Sequence, residues 1–222
     1  MTTPTLVCFD IGGVLIRHFR EWPVACDAMG LPVPQNLNDP AFVAKRRELH
    51  QHFGTGRIEE ESFYNGLAEA AGGGLYTVAD IRRLHQGWLL EEYAGVADLL
   101  AVLKQRVTIA LLSNTDAAHW RQMHHLPDSS RRYASMTHVH HPHASHLLGA
   151  MKPDDLIYER FEQAVGVAGE RILFFDDLPR NIEAARARGW QTVHIDHTRE
   201  TAPQIAAALV AHGLLDLVPS MP

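Results

Sequence analysis

The sequence predicts an α/β fold, a doubly wound parallel sheet that carries a small inserted helical domain. Three observations lead there. Short β-rich runs without polar alternation recur along the 222 residues, helical patterns lie between them, and acid, amide or hydroxyl side chains follow several runs directly. Strands of this kind are covered on both faces, and the intervening helices supply the cover. In such sheets a ligand lies beyond the carboxyl ends of the strands, where the chain reverses its winding direction.

The first run, Thr5 to Phe9, delivers Asp10 directly into the turn Ile11-Gly12-Gly13. A carboxylate at the end of a strand buried on both faces is costly unless its charge is balanced. The two glycines free the backbone for close approach by another group. A turn acid bonded to its own backbone is the alternative. From about Arg17 to Glu92 the alternation stops and helical patterns follow one another without a convincing strand. We read residues 17–92 as an inserted helical cap and residues 1–16 with 93–222 as the core; packing of these helices directly on the sheet is the alternative. Within the insertion, Ile58 to Ala71 carries Ile58, Phe63, Leu67 and Ala70 among acids, an amphipathic pattern that Gly72-Gly73-Gly74 stops.

The remaining strands are expected at Val107 to Leu112, roughly Met136 to His141, Arg171 to Phe175, and Gln191 to Ile195. Between them, Asp154 to Val165 has Ile157, Phe161, Ala164 and Val165 at helical spacing, and Pro179 to Arg188 ends at Gly189, where a left-handed stop residue belongs. The last residues, Val218 to Pro222, read as a loose tail.

Composition narrows the class. With 46% hydrophobic and 21% charged residues, the chain can bury a real core. A net charge of -6 without a basic run argues against a nucleic-acid partner. Cys8 and Cys26 make neither a disulfide framework nor a metal pair. The start lacks the pattern of a signal peptide, and no apolar run is long enough to span a bilayer. The expectation is a cytoplasmic protein that acts on a small molecule.

Three polar groups accompany Asp10. Ser113 and Asn114 end the run Leu111-Leu112 beside a predicted helix start, which suits an anionic oxygen or serves only as a cap. Lys152 precedes the helix near Asp154 and is either solvated or a compact positive charge at the strand ends. Asp176 and Asp177 leave a strongly apolar strand side by side, with Asn181 on the next helical turn. A hard divalent cation such as magnesium would relieve the repulsion between them; an N-cap beside a solvated acid is the alternative.

In order, Phe9-Asp10-Ile11-Gly12-Gly13-Val14-Leu15, Leu111-Leu112-Ser113-Asn114-Thr115, Lys152-Pro153-Asp154-Asp155 and Phe174-Phe175-Asp176-Asp177-Leu178-Pro179-Arg180-Asn181 resemble the four motifs of the haloacid dehalogenase superfamily, most of whose members are phosphatases. The resemblance spans Leu6 to about Ile195 and implies a Rossmann-like core with a helical cap of the first subclass. Gly56 to Phe63 and Ser145 to Pro153 are similar to a bacterial subgroup that dephosphorylates α-glucose 1-phosphate and related sugar phosphates.

The resemblance implies Asp10 as the nucleophile that forms an aspartyl-phosphate, and magnesium held by Asp10, the Gly12 carbonyl, Asp177 and Asp176. It implies Ser113, the Asn114 backbone N–H and Lys152 around the transferring phosphoryl group, with Asn181 orienting the acidic loop. The substrate is then a small phosphate ester.

One departure stands out. Most phosphatases of this superfamily carry a second aspartate two residues after the nucleophile, as general acid and base, and here that position is Gly12. General acid–base help is worth about 10²–10⁴-fold in rate. The glucose 1-phosphate subgroup also has glycine there, and an anomeric hydroxyl leaves more easily than an ordinary alcohol. His18, His50 or His52 is an alternative proton source, or a surface histidine. Trp22, Arg46, His50 and Trp88 are candidates for the cap lining. Among the histidines of segment 138–146, His138 and His140 would share a strand face and a zinc ion only if that strand were regular, and Pro142 argues against it. The rival readings are a metal-independent 2-haloacid dehalogenase, against which the acidic pair argues, and a non-catalytic binding protein of the same fold.

Overall fold

The computed structural model describes residues 2–72, 74–125, 128 and 132–216. Five parallel strands form the central sheet: β1 (Leu6–Phe9), β4 (Thr108–Ser113), β5 (His141–Ala144), β6 (Ile172–Asp176) and β7 (Gln191–His194), in the order β5-β4-β1-β6-β7. β1 lies in the middle, with Phe9 opposite Leu111 of β4 and Phe175 of β6. That register brings the carboxyl ends of the three strands level, so whatever follows each of them meets in one place.

The unbroken apolar runs have a direct cause. Val7, Phe9, Ile109, Leu111, Leu173 and Phe175 point to one face, where helices α5 (Val96–Leu103) and α10 (Ala202–Ala211) bury Val96, Leu100, Leu103, Ile205 and Leu209 against them. Leu6, Cys8, Ala110, Leu112, Ile172 and Phe174 point to the other, covered by α8 (Asp155–Val165) and α9 (Pro179–Ala187) through Ile157, Tyr158, Phe161 and Ile182. β1, and β4 and β6 between their ends, are thus apolar at every position because both of their faces are inside. Phe9 and Phe175 stack at 4.9 Å between ring centroids.

The insertion contains α1 (Trp22–Ala28), α2 (Pro40–Gly54), α3 (Glu60–Ala70) and α4 (Val78–Gln86). Asp39 caps α2 ahead of Pro40, and Thr77 with Asp80 forms a reciprocal capping box at α4, which satisfies backbone donors that a helix start leaves open. Phe42, Phe53, Phe63, Tyr64, Leu67 and Ile81 make its apolar centre, which also takes in Ala118 of α6 (Ala117–His124).

Two expectations need correction. The insertion is not free of strands: β2 (Ile16–His18) and β3 (Leu89–Glu92) pair antiparallel at its root. Strands of three and four residues are too short for their period to register in sequence. The strand expected over Met136 to His141 begins at His141; Ala134–His138 is a 3₁₀ turn, and Met136 and Val139 pack on the core instead of entering the ladder. As the edge strand, β5 is half-exposed and polar, so it lacks the apolar signal of its neighbours. With it goes the basis for a zinc pair at His138 and His140; His140 Nδ1 accepts from the Ile109 N–H at 3.0 Å. α3 ends at Ala70, followed by Gly72 with φ 92°; Gly73 and the tail from Val218 to Pro222 lie outside the described residues. β5 leads into a single helical turn, α7 (Ser145–Leu148). Among the described residues, no helix is long and apolar enough to cross a membrane.

Candidate active site

Asp10 leaves β1 at the level of Asp176 at the end of β6, and Lys152 bridges them. Its Nζ lies 3.0 Å from Asp10 Oδ1 and 2.7 Å from Asp176 Oδ2, with all three residues buried. Burial alone would lower the lysine pKa, but Asp10 and Asp176 outweigh it and raise it, so the ammonium is held charged. Burial pushes the Asp176 carboxyl up against the pull of Lys152. The position of Lys152 is itself secured: Asn114 Nδ2 donates to its carbonyl and Asn114 Oδ1 accepts from its N–H, each at 2.8 Å. The Asn114 side chain is therefore a clamp, while its backbone stays on the loop after β4.

Asp176 accepts from Asn181 Nδ2 at 3.0 Å on both oxygens and from the Leu178 N–H at 2.8 Å. Asn181 thus holds the Asp176 carboxylate from α9. Asp10 Oδ1 accepts from the Ile11 N–H at 2.7 Å. Asp177 faces Arg20, whose Nη2 is 2.6 Å from Oδ2, and His197 Nδ1 at 3.5 Å. Gly13, at φ 77°, lies under the same carboxylate: a Cβ there would be 2.5 Å from Asp177 Oδ2, so only glycine fits. Ser113 is buried at the end of β4, with no hydrogen bond from its hydroxyl to another described residue.

The carboxylate oxygens of Asp10, Asp176 and Asp177 lie within 4.8 Å of one another. Hard oxygen donors so converged suit magnesium, which takes one or two protein carboxylates and keeps several waters.

A cavity of about 290 Å³ opens beside Gly12, Ser113 and Asn114, between the loops after β1 and β4 and the insertion. Trp22, His50 and Trp88 line it, as expected from sequence; Arg46 lies outside it, its guanidinium 5.4 Å above the Trp22 ring. His18 hangs over Gly12, with Nδ1 2.6 Å from the Phe19 carbonyl. Burial and then Arg20 lower its pKa.

Sequence reasoning missed Arg20, His197 and a cluster on the cavity wall: His85 of α4, with Asp116 and His119 at the start of α6. His85 Nε2 is 3.0 Å from Asp116 Oδ2, and His85 and His119 stack at 3.9 Å. Burial, then His85, lowers His119 to about 4, while Asp116 is held below its usual range against burial by both histidines and by the His119 N–H. Asp116 follows the Leu111–Thr115 run directly, and its place before a helix could have marked it; His85 carries no local signal, because its partners Tyr64, Asp116 and His119 are 21 to 34 residues away.

The haloacid dehalogenase-like hydrolase family matches residues 4–189. A phosphatase of Mycobacterium tuberculosis is 32% identical over 72 residues, a stretch that covers 32% of this chain and 33% of that protein. A sesquiterpene phosphatase of Aspergillus oryzae is 26% identical over 205 residues, 92% of this chain and 96% of that protein. A haloacid dehalogenase family enzyme of Bacteroides thetaiotaomicron, solved with magnesium and inorganic phosphate, superposes with a TM-score of 0.74 at 22% identity, over 88% of this chain and 96% of that one.

Proposed function

The chain belongs to the haloacid dehalogenase-like hydrolase family, and we propose that it is a magnesium-dependent phosphatase that hydrolyses a small phosphate ester through an aspartyl-phosphate on Asp10. One observation carries the reading: Lys152 holds Asp10 and Asp176 at the level of Ser113, so a nucleophile, a fixed cation and a free hydroxyl converge at the carboxyl ends of three strands. Phosphatase names among the relatives and the magnesium and phosphate in the Bacteroides enzyme support it. Residues 17–92 would act as the cap on the core formed by 1–16 and 93–222.

Asp10 attacks phosphorus, an Asp10 carboxylate oxygen bonds to it, and the bond to the leaving oxygen breaks. Water then attacks the same phosphorus, which returns the Asp10 carboxylate and releases inorganic phosphate. Asp10, the Gly12 carbonyl and Asp177 would hold magnesium, with Asp176 beside them. Bound there, the ion would shield Asp10 from an anionic substrate and offset charge on the phosphoryl oxygens. Lys152, Ser113 Oγ and the Asn114 N–H supply the remaining positive poles. Asp176, saturated by Lys152, Asn181 and Leu178, serves mainly to keep Lys152 in place.

With Gly12 in place of a second aspartate, the leaving oxygen takes its proton from water. Sugar phosphates, the class implied by the resemblance around Gly56–Phe63 and Ser145–Pro153, are one set of substrates. The sesquiterpene activity named for the Aspergillus relative favours a less polar one.

The test is release of inorganic phosphate from p-nitrophenyl phosphate with and without magnesium, followed by borohydride trapping and peptide mass spectrometry. Magnesium-dependent release, lost in Asp10→Asn, with Asp10 as the reduced residue, is the expected outcome. Halide release from 2-chloropropionate that survives a chelator would assign the metal-independent dehalogenase instead. Absence of any turnover would leave a binding protein of this fold.

A further inference from the structure

We propose that the cavity beside Gly12 accepts the hydrocarbon body of an alkyl or prenyl monophosphate in preference to a polyol phosphate. The inference rests on the phosphatase reading and names the substrate class of that same site. Its walls are the first observation: Trp22, Leu67, Ile81, Leu84, Trp88 and Met123 surround the space. At about 290 Å³ it has room for roughly ten waters at their liquid share of about 30 Å³ each.

The second observation is that much of the polar lining is already paired within the protein. His85 is used at both ring nitrogens, with Nε2 3.0 Å from Asp116 Oδ2 and Nδ1 3.3 Å from the Tyr64 hydroxyl. His119 Nε2 lies 2.7 Å from the His85 carbonyl, and its Nδ1 is 3.4 Å from Asp116 Oδ2. Asp116 Oδ1 accepts from the N–H groups of Ala118 and His119. The Asn114 side chain is spent on Lys152, and His18 Nδ1 on the Phe19 carbonyl. Away from the phosphoryl position, His18 Nε2, the His50 ring, the Thr115 hydroxyl and the indole N–H groups of Trp22 and Trp88 remain. His50 is an exposed residue of α2 whose ring packs edge-on against Phe63, 5.0 Å between centroids.

A hexose presents a hydroxyl at nearly every carbon, each both donor and acceptor, and those that face Leu67, Ile81, Leu84 and Met123 would lose water here without gaining a partner. A hydrocarbon body loses nothing polar on entry and covers the tryptophan and leucine walls. The buried cluster of His85, Asp116 and His119 is then a rigid, self-satisfied part of the wall that leaves no hydrogen bond for the substrate.

The deciding experiment compares substrates with the same kind of leaving group on the magnesium-loaded enzyme: ethyl, butyl, hexyl, octyl and farnesyl phosphate against glucose 6-phosphate, with p-nitrophenyl phosphate as the reference for turnover. kcat/KM is expected to rise about two- to fourfold per methylene until the cavity is full, and hexyl phosphate to exceed glucose 6-phosphate by at least about tenfold. Binding of hexyl phosphate to Asp10→Asn protein, read from tryptophan fluorescence, should follow the same order and needs no turnover. In Trp88→Ala the chain-length dependence should flatten. A flat series in the wild type, or a preference for glucose 6-phosphate, with p-nitrophenyl phosphate still cleaved, overturns this inference and leaves the phosphatase reading intact. No cleavage of any phosphate together with tight hexyl phosphate binding overturns the phosphatase reading and keeps the apolar cavity.

Discussion

The imidazole of His18 fills the space into which a side chain at residue 12 would grow: a Cβ on Gly12 would lie 2.9 Å from His18 Cδ2 and 3.1 Å from Nε2. Any side chain at residue 12 must therefore displace the His18 ring, so the position is not simply a missing acid.

It follows that Gly12→Asp does not restore an acid–base catalyst. The new side chain collides with the ring, and we expect kcat/KM to fall about tenfold or more, a loss of roughly 1.4 kcal/mol or more in transition-state stabilisation. In the double variant Gly12→Asp/His18→Ala the collision is gone, and activity should recover above that of either single change. Steady-state kinetics on all four proteins checks this, and equal rates for Gly12→Asp and wild type would count against the steric account.

Lys152 is the sole partner cation for two buried carboxylates among the described residues, with Asp10 at 3.0 Å and Asp176 at 2.7 Å. Lys152→Met keeps the bulk and removes the charge. Uncompensated buried charge costs about 3–5 kcal/mol, so the urea midpoint should drop sharply at pH 7. The sign with pH is set by the carboxylates: left unpaired, their folded pKa values rise above the unfolded ones, so the variant should regain stability as the pH falls and they protonate. A loss of similar size at pH 5 and pH 8 would contradict this.

Arg20 Nη2 sits 2.6 Å from Asp177 Oδ2, on a carboxylate proposed to hold magnesium. The guanidinium competes with the ion for that oxygen and repels it. Arg20→Ala should therefore lower the magnesium concentration for half-maximal activity, on the order of three- to tenfold. A magnesium titration of both proteins gives the answer; weaker binding in the variant would mean that Arg20 supports the site.

His119 is buried beside His85 and Asp116, with its pKa lowered to about 4 by burial and then by His85. Between about pH 6.5 and 4 the unfolded chain binds a proton there that the folded chain does not, so stability falls as the pH drops through that window. The loss is up to about 3 kcal/mol by pH 4. His119→Gln, which never takes up that proton, should show a shallower decline in Tm over the same range. Identical slopes would assign the acid sensitivity to other groups.

How much of this was legible in the sequence differs from element to element. β1, β4 and β6 announced themselves because both faces of the sheet are buried, which leaves no polar position in Leu6–Phe9 or Ile172–Phe175. Asp10, Ser113, Lys152, Asp176, Asp177 and Asn181 were legible for a related reason. A polar side chain placed at the end of such a strand in a parallel sheet has one destination, and the level register of β1, β4 and β6 brings Asp10, Ser113, Asp176 and Asp177 together, while Lys152 and Asn181 reach them from the segment before α8 and from α9. β5 was misplaced because an edge strand has only one covered side, and β2 and β3 were invisible because three or four residues do not establish a period.

By itself, then, the sequence determined the doubly wound sheet, the helical insertion and the residues at its carboxyl edge, all of which follow from local apolar pattern and strand-end chemistry. Only the tertiary structure decided what surrounds them. His18 reaches Gly12 across a tight turn, Arg20 meets Asp177 from 157 positions away, and His85 meets Asp116 across 31. Those contacts depend on how the insertion seats against the strand ends, a matter of long-range packing that no periodicity encodes. The same packing closes an apolar cavity over the acidic edge, whose walls come from helices that the sequence identifies singly and the fold brings together.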